Sequence, residues 1–324
     1  MKLTVLSDKL LGEKLAVPIY NANGNLFLNR GTNITQIALK HLKNIGISTI
    51  YIEDANSEVD LVEVLPSHIR VKVFKKLKYE FISIKKNKKI NDEVIFEISD
   101  EIIGNINLSE NSILYNNVGK KDEIEELVDH SLQVALISIM IGANKQYDDK
   151  KLQNLLIGAL LHDVGKLFSK QEDHSEIGYR IIKENISFAT TSCIILLQHH
   201  EHIDGTGVPN KLVGNQIYEF SQIVGIANEY INTFDEEVGV LPHEVMEKIT
   251  AQTLTRFCPE IHKFFTKSVY CYPNGLDVKL NTGESGTIIM QNKSHPLRPI
   301  IKTNANKFLN LLDNLTLFVE EVLL

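Results

Sequence analysis

The chain of 324 residues is long enough for two domains, or for one domain with a substantial appendage. Its 43% apolar and 23% charged residues exclude a disordered or fibrous chain and indicate a globular protein with a sizeable core. A net charge of -7 argues against a nonspecific nucleic-acid binder, which carries a basic excess, so neither DNA nor RNA is expected as a partner.

Cys193, Cys258 and Cys271 are odd in number and form no C-x-x-C pair. This speaks against a disulfide framework or a structural zinc site and fits a reducing cytoplasm. Met1 to Leu11 has no basic stretch leading into a long apolar run. Leu132 to Gly142 is shorter than the roughly 20 residues of a membrane helix. No membrane is expected, and that stretch reads as a buried core helix.

In chain order, residues 1–54 read as a small α/β module of accessory or regulatory type. Leu15 to Tyr20 and Leu26 to Leu28 flank Asn21-Ala-Asn-Gly24, a hairpin signal. Ile34, Ile37, Ala38 and Leu42 follow at helical spacing, with Asn33 as N-cap and Gly46 as C-terminal stop, and Ile47 to Ile52 closes the module as a strand. Residues 55–120 read as a helical connector: an acidic stretch from Glu53 to Glu63, a helix through Val71, Phe74, Leu77 and Phe81, the basic run Lys85 to Lys89, and a helix from Ile95 to Ile106. Such a run is a solvated helix end more often than a phosphate site.

Residues 121–265 read as a helical domain. Helices are expected over Glu123 to Met140, Leu152 to Leu161, Glu176 to Lys183, Thr190 to Gln198, Gln222 to Asn232 and His243 to Phe257. Residues 266–324 read as a β-hairpin across Asn281-Thr-Gly-Glu-Ser285 followed by a last helix from Phe308 to Val322. The fold class is therefore mainly α, with an N-terminal α/β module and a short β-rich C-terminal extension.

The chemistry is concentrated between Leu160 and Pro209. Leu161-His162-Asp163-Val164-Gly165-Lys166 ends an apolar helix, His174 enters the next, and His199-His200-Glu201-His202 runs into Asp204-Gly205-Thr206-Gly207-Val208-Pro209. Adjacent residues on a helix point about 100° apart, so His162 and Asp163 can serve one metal pair only near a helix end, which Gly165 permits. Imidazoles and carboxylates suit iron, manganese or zinc, and a bridging carboxylate lets two ions share one site. Upstream, Glu126 and His130 are one turn apart on one helix face. A lone His-Asp or Glu-x-x-x-His is usually a surface pair; the order, spacing and helical context of the set make chance the weaker account. His202 and His243 read as surface residues.

The ordered set of His130, His162-Asp163, Gly165-Lys166, His174-Ser-Glu-Ile-Gly178, His199-His200-Glu201 and Asp204-Gly205-x-Gly207-x-Pro209 resembles the HD-GYP branch of the HD phosphohydrolases. The resemblance covers about residues 120–265, and the flanking segments are similar to modules found around such domains. It implies a metal-dependent phosphodiesterase hydrolysing a cyclic dinucleotide, cyclic di-GMP foremost, with two or three iron or manganese ions.

By matching position, His130, His162, Asp163, His174, His199 and His200 would be metal ligands, with Asp163 the catalytic bridge. Glu126 matches the extra carboxylate of a three-metal subset. Lys166 matches a lysine that meets the substrate phosphate, and Asp204, Gly205 and Gly207 fall in the substrate-facing turn. The ions would lower the pKa of water to give hydroxide at neutral pH and stabilise the attacked phosphate. A homodimer or a signalling protein is left open as partner.

Three departures stand out. Gly207-Val208-Pro209 lacks the tyrosine hydroxyl. The late metal-binding aspartate is Asn228, a neutral and weaker ligand. The family's basic segment is replaced by Asp235 to Val240. These keep open an HD-GYP-like adaptor that binds metal and nucleotide or a partner without turnover, and a phosphohydrolase of another nucleotide.

Overall fold

The run from Val128 to Gly142 is buried at every position, and it forms the middle of a helix against which three other helices of its unit pack. The structure, a computed structural model, describes residues 2–323 apart from 21–25, 45–46, 48, 54–61, 109–111, 114–121, 170, 172, 186, 237–241, 273 and 293–294. The expected turn at Asn21 to Gly24, the stop at Gly46 and most of the acidic stretch after Glu53 lie outside the described residues. Two compact units result: Met1–Val71 with Asn107–Lys121 and Tyr270–Leu324, and Lys72–Ile106 with Asp122–Val269.

In the first unit, β1 (Lys2–Val5) lies antiparallel to β4 (Thr49–Ile52), and β2 (Ile19–Tyr20) pairs with β3 (Leu26–Leu28) as the hairpin signal predicts. Helix α1 (Gln36–Asn44) begins later than expected. Its cap is Thr35 rather than Asn33, since the Thr35 hydroxyl accepts the amide of Ala38 at 3.2 Å. Leu39 and Leu42 of α1 pack with Leu6, Leu15, Ile19, Ile34 and Ile50 into this module's core. The unit also holds the short parallel pair β5 (Val62–Glu63) and β6 (Ser112–Ile113).

The unit's main sheet has five antiparallel strands in the order β10-β9-β8-β7-β11, from β7 (Asp277–Leu280), β8 (Ser285–Met290), β9 (Ile300–Thr303), β10 (Phe308–Asn310) and β11 (Val319–Leu323). The β7–β8 hairpin turns where the sequence predicts. The helix expected from Phe308 to Val322 is instead two strands and a turn. Asn310 Oδ1 accepts the amide of Leu312 at 3.1 Å and Asn314 Oδ1 that of Thr316 at 3.2 Å. These side chains give the backbone local partners that compete with helical bonds, and Val319 and Val322 complete the pairing with Leu280 and Val278.

The second unit is helical: α2 (Ser67–Asn87, in this unit from Lys72), α3 (Asp92–Ile103), α4 (Glu123–Asn144), α5 (Asp149–Leu161), α6 (His174–Lys183), α7 (Thr190–Gln198), α8 (Glu219–Glu236), α9 (Pro242–Ala251) and α10 (Pro259–Ser268). Lys85, Lys86, Lys88 and Lys89 are exposed at and just beyond the end of α2, the solvated reading of the basic run. Helix α4 starts at a reciprocal cap, in which Asp122 accepts the Glu125 amide at 2.8 Å and Glu125 accepts that of Asp122 at 3.0 Å. It is apolar and long enough to cross a membrane, but 83% of its most apolar window is buried inside the unit, against α5, α8 and α10.

The helix expected from His243 to Phe257 stops at Ala251. Leu254 takes a φ of 80°, which no helix accommodates, and Pro259 in the first turn starts α10, an element the apolar spacing did not disclose.

Candidate metal centre

Asp163 is the hub. Helix α5 ends at Leu161, His162 caps it in helical conformation, and Asp163 turns to φ -102° and ψ 10°, in the bridge region where active-site residues often sit. This is the helix end that adjacent ligands require. A short 3-10 turn, Val164–Leu167, follows and presses against the start of α6. A Cβ at Gly165 would fall 1.9 Å from the His174 carbonyl oxygen, so only glycine lets His174 approach.

Four imidazoles converge on the buried Asp163 carboxylate. Oδ1 lies 3.1 Å from Nε2 of His174 and 3.5 Å from Nε2 of His199, while Oδ2 lies 3.3 Å from Nε2 of His162 and 3.5 Å from Nε2 of His130. His200 Nε2 sits 3.1 Å from His174 Nε2. The donor atoms form two groups, Asp163-His174-His199-His200 and His130-His162-Asp163, each within 4.8 Å and sharing Asp163. Asn228 on α8 adjoins the second group, its Oδ1 2.9 Å from His130 Nε2.

Three imidazoles are oriented from behind by backbone carbonyls: His162 Nδ1 at 2.8 Å from Ala159 O, His174 Nδ1 at 2.6 Å from Gln171 O and His199 Nδ1 at 3.0 Å from Leu196 O. With Nδ1 engaged there, Nε2 is the ring atom left to face the carboxylate. Burial pushes His162 down to about 4, against the pull of Asp163, so the ring is neutral at pH 7. Burial, followed by the charge of His199, also pushes His200 down. Burial alone would raise the Asp163 carboxyl, but the surrounding imidazoles, His162 first, hold it well below the usual range.

Although 3.1–3.5 Å apart, His162 Nε2, His199 Nε2 and Asp163 Oδ1 make no hydrogen bonds to protein atoms and are fully buried. Such atoms cost about 1–3 kcal/mol each unless something else satisfies them. Divalent cations do so, and the nitrogen and oxygen donor set fits them.

Lys166 Nζ contacts Asp163 Oδ2 at 2.5 Å, the ammonium standing on the shared carboxylate. Glu126 is exposed and belongs to neither ligand group. Asp204, Gly205 and Gly207 shape the loop after α7. Asp204 is exposed and accepts the amide and hydroxyl of Thr206 at 2.9 and 2.6 Å, Gly205 has φ 81°, and a Cβ on Gly207 would meet His202 N at 2.2 Å. Of the altered segment, Glu237 to Val240 lies outside the described residues.

Other residues of the site escape a sequence reading. Glu201 is buried and accepts the amides of Asn210 and Leu212 at 2.6 and 2.8 Å, bracing the loop; its place after the His pair was the available signal. Asp129 is buried beside His130 and accepts from Gln133 at 2.8 Å. His202 and Arg256 join the loop by contacts between residues 54 apart.

Residues 127–233 match the family model of the HD domain, and every ligand in the two groups falls within them. The chain contains an HD domain. In the HD-GYP pattern that the sequence resembles, the tripeptide position is held here by Gly207-Val208-Pro209. The chain is 25% identical over 225 residues to a cyclic di-GMP phosphodiesterase of Pseudomonas aeruginosa, covering 64% of this chain and 54% of that protein. It is 26% identical over 197 residues to the cyclic di-GMP phosphodiesterase PdeB of Borreliella burgdorferi, covering 53% and 50%. The chain thus spans about half the length of these curated relatives. An HDG"Y"P protein of Bdellovibrio bacteriovorus, Bd1817, shares the fold with a TM-score of 0.53 and 20% identity, over 82% of this chain and 98% of that one.

Proposed function

We propose that this HD domain is a metal-dependent phosphodiesterase acting on a cyclic dinucleotide, cyclic di-GMP foremost, in the cytoplasm. The observation that carries the reading is the pair of ligand groups sharing one buried carboxylate, Asp163. Two curated relatives named as cyclic di-GMP phosphodiesterases support the substrate class.

His174, His199, His200 and Asp163 would hold one ion and His130, His162, Asp163 and Asn228 the other, iron or manganese by donor type. When bound, such ions supply an activated water at neutral pH and stabilise charge on the attacked phosphate. The protein's part is orientation. The carbonyls of Ala159, Gln171 and Leu196 fix three ring tautomers before any ligand arrives, and burial of His162, Asp163 and His199 keeps water from competing for them. Lys166, about 30% exposed at its side chain, is placed to neutralise a phosphate oxygen beside Asp163.

The test is anaerobic loading with Mn2+ or Fe2+ followed by a panel of cyclic di-GMP, other cyclic dinucleotides and linear nucleotides. Hydrolysis of cyclic di-GMP, lost in Asp163→Ala, is expected. Preference for a linear nucleotide would replace this reading with that of a general phosphohydrolase.

A second reading rests on Asn228, whose neutral amide stands next to His130 where the family pattern has a carboxylate. It makes the chain an HD-GYP-like adaptor, for which cyclic di-GMP binding without product formation is the expected result.

A further inference from the structure

Arg256 lies in the turn after α9, distant in sequence from every ligand, yet it joins two of the elements that carry them. Nη1 and Nη2 donate to the two carboxylate oxygens of Glu229 at 2.7 and 2.8 Å. Glu229 follows Asn228 on α8. Nε donates to Nε2 of His202 at 3.0 Å, two residues beyond His200. An imidazole accepting at Nε2 carries its proton on Nδ1, so His202 donates to Thr206 Oγ1 at 3.0 Å, and that hydroxyl donates to Asp204 at 2.6 Å.

The backbone repeats the attachment. The carbonyls of Arg256 and Thr255 accept the amides of Ile203 and Asp204 at 3.3 and 3.0 Å. The same turn holds Leu254 at φ 80°, a conformation that costs a non-glycine residue about 1–3 kcal/mol and persists where neighbouring contacts over-determine it.

We propose that Arg256 is a positioning residue for a two-ion centre. It fixes the loop headed by His199 and His200 against the helix bearing Asn228, and so sets the spacing between the two ligand groups. This rests on the metal-centre reading and not on turnover. The planar fork is what the role needs: three nitrogens serve Glu229 and His202 together, which a lysine ammonium cannot reproduce in one plane.

The experiment compares wild type with Arg256→Ala, Arg256→Lys and Glu229→Ala. Each chain is stripped by chelation and titrated with Mn2+, with calorimetry for stoichiometry and affinity and electron paramagnetic resonance for coupling between paired ions. Melting of the metal-free chains is followed separately. Arg256→Ala should bind Mn2+ about 10–100-fold more weakly and lose the coupled spectrum, and Arg256→Lys should not restore it. Glu229→Ala should show the same loss in smaller degree, and it decides the matter if Arg256→Ala does not fold. Wild-type affinity within twofold together with an intact coupled spectrum in the variants that fold overturns the proposal, whatever happens to melting. Failure of the wild-type chain to bind Mn2+ would overturn the metal-centre reading itself, a separate result.

Discussion

The two ligand groups around Asp163 are unequal. The group of His174, His199 and His200 draws on two successive chain segments, the start of α6 and the end of α7, and the rings of His174 and His199 are held by carbonyls of Gln171 and Leu196. The group of His130 and His162 depends on a contact across 98 residues, and its fourth donor, Asn228, is a neutral amide. An amide oxygen is a weaker donor than an imidazole nitrogen, so the ions should differ in affinity. One strong and one weak site is what the proposed two-ion centre leads to.

The largest effect should come from removing what the groups share. Asp163→Ala takes the bridge from both, and Mn2+ binding at both sites should disappear, with turnover falling roughly 10²–10³-fold or more. Residual tight binding of two ions, seen by calorimetry, would separate the groups and end the two-ion account. Next come the single-group variants. His174→Ala should abolish the tighter binding phase and His130→Ala the weaker one, each lowering affinity at its own site by about 10–100-fold. Equal effects of the two on both phases would contradict the asymmetry.

A smaller gain is expected from Asn228→Asp. Restoring a carboxylate beside His130 should tighten the weak site about tenfold, about 1.4 kcal/mol, and raise turnover if the weak site limits it. No change in either quantity would place the limitation elsewhere, with Val208 or the altered segment as the next suspects.

The smallest effect concerns the metal-free chain. His162 is held neutral, at about 4 against an ordinary 6.5. Between those values the unfolded chain takes up a proton that the folded one refuses, so stability is full above about pH 6.5 and is lost as pH falls toward about 4. Melting followed by circular dichroism should therefore drop by a few degrees over that window. His162→Gln should flatten the drop, and a melting temperature independent of pH there would show that His162 is not buried as described.

Legibility in the sequence followed the range of the interactions. His162-Asp163, His174 and His199-His200 could be read because each pair or entry sits at the end of an apolar run, where local periodicity marks a helix boundary. The hairpin at Asn281 to Ser285 was visible for the same reason. The tail from Phe308 was misread because its apolar spacing suits a helix, whereas Asn310 and Asn314 bind their own backbone and β7 offers an edge to pair with. Leu254 hid the end of α9, since a left-handed residue leaves no trace in a hydrophobic pattern.

What the sequence determined by itself was the candidate donor set: which imidazoles and which carboxylate stand at helix ends, and the neutral amide at Asn228. Tertiary structure alone decided how they are grouped. It left Glu126 at the surface, gave Asp204 and Gly205 to the loop's own bonding, brought His130 to Asp163, and set Arg256 between His202 and Glu229. The reason is physical. Residue type fixes what an atom can donate or accept, but only packing brings atoms from distant parts of the chain within reach of one another.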